Sequence, residues 1–122
     1  MDADIIKAAR TLKGKAVARR RDFHKHAEAA WTEFRTASIV AEELDALGYR
    51  VLAGADVVEA NAMMGVPPPA DLERHFQRAL AQGADPAWAE KLGGGKTGVV
   101  AVMTFGRPGP TVALRVDMDA ND

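Results

Sequence analysis

The sequence predicts an α/β fold in which helices lead into a β-hairpin. Three observations predict it. Apolar residues recur at helical spacing through the first 47 positions and again over 71–81. Two strong strand patterns lie near the C-terminus, either side of Gly106-Arg107-Pro108-Gly109, a turn with proline and glycine in favoured places. The second pattern ends in acids, and the carboxyl ends of strands are where open α/β sheets place their chemistry.

Asp2 or Asp4 can cap a first helix, whose apolar stripe runs through Ile5, Ile6, Ala9, Leu12, Ala16 and Val17. Gly14 weakens that helix by about 1 kcal/mol relative to alanine without breaking it. The helix is expected to continue through Arg19-Arg20-Arg21 to about Glu28. A second helix is predicted over 33–47, with Ala37, Val40, Leu44 and Leu47 on one side and Gly48 as a left-handed terminator. Residues 49–52 read as a short strand. Periodicity lapses over 53–70, where Pro67-Pro68-Pro69 exclude a helix interior or a central strand. A third amphipathic helix is predicted over 71–81, with Leu72, Phe76, Ala79 and Leu80 inward. Asp85-Pro86 is an N-cap followed by proline at the first helical position, opening a short helical turn that Gly93-Gly94-Gly95 ends. Residues 98–105 form a strand, expected to pair as a hairpin with the alternating stretch that begins at Thr111.

Composition excludes several classes. The chain has 122 residues, enough for one ordinary domain, and 48% of them are hydrophobic. The formal net charge of −1 offers no field for nucleic acid or an anionic membrane. Three consecutive arginines on a helix fan around its circumference, so Arg19 to Arg21 read as a solvated face. With no cysteine there is neither disulfide nor thiolate metal site, and the acidic N-terminus lacks the basic start of a secretory signal. The expected location is cytoplasmic, with no membrane span.

Two motifs fail on geometry. Gly93-Gly94-Gly95-Lys96-Thr97 suggests a phosphate loop, but Glu90 stands where that loop needs a glycine, and a strand follows instead of a helix. His24 and His26 point about 200° apart on a helix and cannot share an ion. His24 and Glu28, four apart, would share a face and read as a hydrogen-bonded pair. The tryptophans and phenylalanines read as packing residues.

Asp117 and Asp119 are the candidate catalytic residues. In an extended chain they lie on one face with Arg115, about 7 Å from one neighbour to the next. Pattern alone leaves open whether they are functional or a solvated strand end.

An ordered set of motifs carries a resemblance: Arg20-Arg21-Asp22-Phe23-His24 with Glu28, Glu33-Phe34-Arg35-Thr36, Leu47-Gly48-Tyr49, Thr97-Gly98-Val99-Val100-Ala101, and the run from Gly109 to Ala120 containing Arg115-Val116-Asp117-Met118-Asp119. Together they resemble the start of a metal-dependent amidohydrolase of the group that includes hippurate, auxin-conjugate and aminobenzoyl-glutamate hydrolases. Residues 57–88 most resemble an insertion found in one of the two subunit types of the last. The resemblance implies the N-terminal portion of an α/β/α metallohydrolase catalytic domain, spanning 1–122 with an insertion at 53–96. It implies cleavage of the amide bond of an N-acyl or N-aroyl amino acid by water activated on two divalent metal ions, manganese or zinc. It also implies a second subunit or a homodimer in the full-length protein. Arg115 stands where related metallopeptidases place a metal-binding histidine. Asp117 matches an aspartate that orients a metal ligand, and Asp119 matches a family position of less defined role. The metal ligands and the catalytic glutamate of the group fall beyond Asp122, so the expectation is an enzyme fragment, inactive alone. The alternative is a non-catalytic binding or assembly module, which would finish its sheet and hide its edges, whereas a fragment would leave an unpaired strand.

Overall fold

The computed structural model describes residues 2–121. It contains four helices, α1 (Ala3–Lys25), α2 (Phe34–Ala46), α3 (Pro69–Ala81) and α4 (Pro86–Lys91), and two short strands, β1 (Arg50–Ala53) and β2 (Val99–Val102). Caps set the helix starts as the sequence indicates: Asp2 accepts from the Asp4 amide and Asp85 from the Trp88 amide. Proline occupies the first turn of both α3 and α4, where its missing N–H costs nothing. So Pro69 opens α3 two residues earlier than the periodicity suggests.

Helices followed by an antiparallel strand pair are present, but the pairing differs from the expected hairpin. β2 pairs with β1, in register Arg50 to Val102 and Ala53 to Val99, and the Gly54 amide extends the ladder to the Gly98 carbonyl at 3.0 Å. The stretch over 111–117 forms no strand, and Val112, Leu114 and Val116 are largely exposed. β2 spends one edge on β1, and among the described residues its other edge carries no strand. Asp122, the last residue of the acidic stretch, lies outside the described residues.

The core is built from α2, α3 and α4 around Phe34, Ala37, Ala53, Leu72, Ala79, Ala84, Ala89 and Leu92. Its alanines let backbones approach closely, and Phe34 meets Phe76 edge to face at 5.6 Å between centroids. Gly54 is where this closeness shows most: with φ of 67°, an added Cβ would sit 1.8 Å from the Lys91 carbonyl oxygen. α1 behaves differently. None of its residues is buried, and Ile5 and Leu12 stay exposed. Its apolar stripe therefore contributes little to this core. Charge holds the helix instead: Lys15 and Arg19 meet Glu43 of α2, and Arg35 of α2 grips Asp22 through both guanidinium nitrogens at 3.0 Å. Among the described residues no helix is long and apolar enough to cross a membrane.

Candidate active site

The turn between α1 and α2 builds the first wall of the site. α1 ends at Lys25, before Glu28, so His24 and Glu28 do not share a helical face as expected. His24 is exposed to a different degree from Glu28, which is almost wholly buried and whose carboxylate accepts from the Arg35 amide at 3.0 Å and the Thr36 amide at 2.7 Å. Glu28 thus caps α2 from outside the helix, placing negative charge on two orphan donors at the positive end of the helix dipole. Glu33, at the formal N-cap, makes no such bond and is free for another partner.

That partner comes from the far end of the chain. The Thr97 hydroxyl donates to Glu33 Oε2 at 2.6 Å, with both residues buried. Burial pushes the Glu33 carboxyl above its ordinary range, the Thr97 hydrogen bond opposes this, and the charges of Asp119 and Glu28 add to the rise. Gly95 permits the approach: with φ of 78°, a Cβ there would lie 3.0 Å from the Trp31 carbonyl oxygen.

The segment after β2 closes the site without regular structure. The Ala120 amide donates to the Glu28 carbonyl at 2.8 Å, and Met118 packs against the core. This anchorage sets the position of the acids just before it. Asp117 pairs with Arg115 at 2.8 Å, both well exposed, as their shared face predicts. Asp119 is exposed at the same cleft. The cleft has a volume of about 550 Å³ and gathers Trp31, Glu33, Thr97, Arg115, Asp117 and Asp119 with Val57, Val58 and Met63 from the long loop. A second cleft of about 580 Å³, lined mainly by Phe34, Val66, Leu72 and Phe76, contains none of the candidate acids.

Asp117 and Asp119, singled out from the sequence, line the first cleft together with Glu33, Thr97 and Trp31, which the sequence did not single out as site residues. No spacing rule links Glu33 to Thr97, which lie 64 positions apart. Trp31, read from sequence as packing, is only half-buried and lines the cleft. Among the described residues, no group of three or more histidines, aspartates or glutamates is arranged to hold a metal ion.

No family model matches the chain. It is 53% identical over 103 residues to the A-type subunit of p-aminobenzoyl-glutamate hydrolase from Escherichia coli K12 and 54% identical over 103 residues to indole-3-acetyl-aspartic acid hydrolase of Enterobacter agglomerans. Each match covers 84% of this chain. The chain is a homologue of these amino-acid-conjugate hydrolases. It spans 24% of the length of those two relatives. The crystal structure of an aminobenzoyl-glutamate utilization protein from Klebsiella pneumoniae matches 95% of this chain at a TM-score of 0.92 and 52% identity, using 30% of that chain. That Klebsiella pneumoniae protein thus contains this arrangement of helices and strand pair within a much longer chain.

Proposed function

We propose that this chain forms the N-terminal part of the catalytic domain of an amide hydrolase. Its substrates would join an aromatic acyl group to an acidic amino acid, as p-aminobenzoyl-glutamate does. The observation that carries this reading is the cleft in which Arg115, Asp117 and Asp119 meet the buried Glu33–Thr97 pair, in a chain homologous to two hydrolases named for such conjugates. The reading includes two divalent cations, manganese or zinc, held by residues beyond position 122, and a second subunit or homodimer. Within 1–122, Asp117 would orient a metal ligand through its carboxylate rather than bind metal itself. Arg115 would hold Asp117 in place through their ion pair.

The test is to express a protein that extends beyond residue 122 through the native reading frame and assay cleavage of p-aminobenzoyl-glutamate with added manganese. Asp117→Asn is expected to lower kcat by roughly 10–100-fold. Residues 1–122 alone are expected to be inactive. Absence of cleavage of both p-aminobenzoyl-glutamate and indole-3-acetyl-aspartate by the metal-loaded long protein would sink the reading. The exposure of Val112, Leu114 and Val116 favours a second reading, an assembly module that recruits another chain onto this segment. Stable heteromer formation by a catalytically silent long protein would support it.

A further inference from the structure

Trp31 is the one non-glycine residue with positive φ among the described residues, at 65°. A bulky aromatic side chain disfavours that region, so the fold must hold it there, and such outliers concentrate where a ligand is gripped. Three contacts hold it. The Thr32 amide closes a turn onto the Ala29 carbonyl at 2.9 Å, Gly95 leaves room for the Trp31 carbonyl, and the indole N–H donates to the Met64 carbonyl at 2.8 Å. Core burial is not what the distortion achieves, because Trp31 lies outside the hydrophobic core. It sits instead on the wall of the cleft that Met63, Val57 and the Arg115–Asp117 pair also line.

We infer that Trp31 is a specificity-determining residue that takes the planar aromatic ring of the acyl group against its indole. The chemistry of the ligand rests on the amide-hydrolase reading above; the placement of Trp31 does not. With its N–H engaged by a backbone carbonyl, the indole offers the ligand ring contact rather than a hydrogen bond, which suits an aromatic group better than a small aliphatic one. Met63 adds a polarisable thioether to the same cleft.

The test uses the long protein carrying Trp31→Leu, which keeps apolar bulk without a ring, and Trp31→Phe, which keeps a ring without the N–H. Trp31→Leu is expected to raise KM for p-aminobenzoyl-glutamate about tenfold while leaving kcat/KM for N-acetyl-glutamate within about twofold, and Trp31→Phe to stay within about threefold of wild type on both. Equal losses on the two substrates, or a phenylalanine as damaging as the leucine, would show that Trp31 merely tethers the loop and would overturn the inference. A second readout needs no catalysis: p-aminobenzoate should change indole fluorescence saturably in the wild type, and Trp31→Phe should remove that change. If the change occurs without hydrolysis of any conjugate, the hydrolase reading falls and Trp31 stands. Hydrolysis of p-aminobenzoyl-glutamate that is indifferent to Trp31→Leu does the reverse. A wild type with no fluorescence response overturns the inference whatever its activity.

Discussion

Two pairs of acids, Glu28 with Glu33 and Asp117 with Asp119, are treated oppositely by the fold. Glu28 and Glu33 flank Trp31 and are buried, each with defined donors, whereas Asp117 and Asp119 sit on a segment without strand or helix and stay exposed. Burial makes the glutamates structural as well as local: Glu28 holds the start of α2 by its side chain and the Asp117–Asp119 segment by its carbonyl. Exposure leaves Asp117 in a solvent-facing ion pair with Arg115 and Asp119 open to water. Acids prominent in a motif need not be the acids the fold depends on.

The largest effect is expected at Glu28. Glu28→Ala strips acceptors from two buried amides and should destabilise the protein by about 2–4 kcal/mol in urea unfolding. A loss below about 1 kcal/mol would mean that water or a neighbour replaces the cap. Next is Arg35, which joins α1 to the same helix through Asp22 and donates to the Gln82 carbonyl. Arg35→Ala should cost about 2 kcal/mol, less than for a fully buried pair because Asp22 is partly exposed. Thermal unfolding of Arg35→Lys should fall between the two, since lysine cannot reproduce the fork.

Smaller effects separate the pairs by the sign of their pH dependence. The folded protein favours protonated Glu33, so above the ordinary glutamate value of 4.5 it binds more protons than the unfolded chain. Stability from this group is therefore complete below 4.5 and lost as pH rises through the raised folded value. Glu33→Gln should flatten that decline and at pH 7 lie within about 1 kcal/mol of wild type or above it. An unchanged slope from pH 4 to 8 would show that Glu33 is not the group responsible. Asp22 runs the other way: the Arg35 hydrogen bond holds it below its ordinary 3.8, so its contribution is lost as pH falls through the lowered value. Smallest of all, Asp117→Asn should change stability by no more than about 0.5 kcal/mol, as expected of an exposed ion pair. A larger change, seen by differential scanning calorimetry, would place Asp117 with the glutamates and weaken its functional reading.

Much of the architecture was legible because it is local. Asp2, Asp85, Pro86 and Gly48 announce helix ends through their own backbone preferences, and the apolar spacing of α2 and α3 needs no distant partner to be read. The same local logic failed where partners were remote. The strand at 99–102 was evident, but its pairing with β1 depends on a contact nearly fifty residues back. α1 ends at Lys25, not Glu28, and Glu28 gives its carboxylate to two amides of α2 further along the chain.

The helices, their caps, the strands at 50–53 and 99–102 and the candidacy of Asp117 and Asp119 follow from short-range sterics and periodicity. Long-range packing alone buries Glu33 against Thr97, lets Glu28 cap a helix it does not belong to, and holds Trp31 in a left-handed backbone at a cleft. Those outcomes depend on which groups lose their water together, and that is settled by packing between segments far apart in the chain.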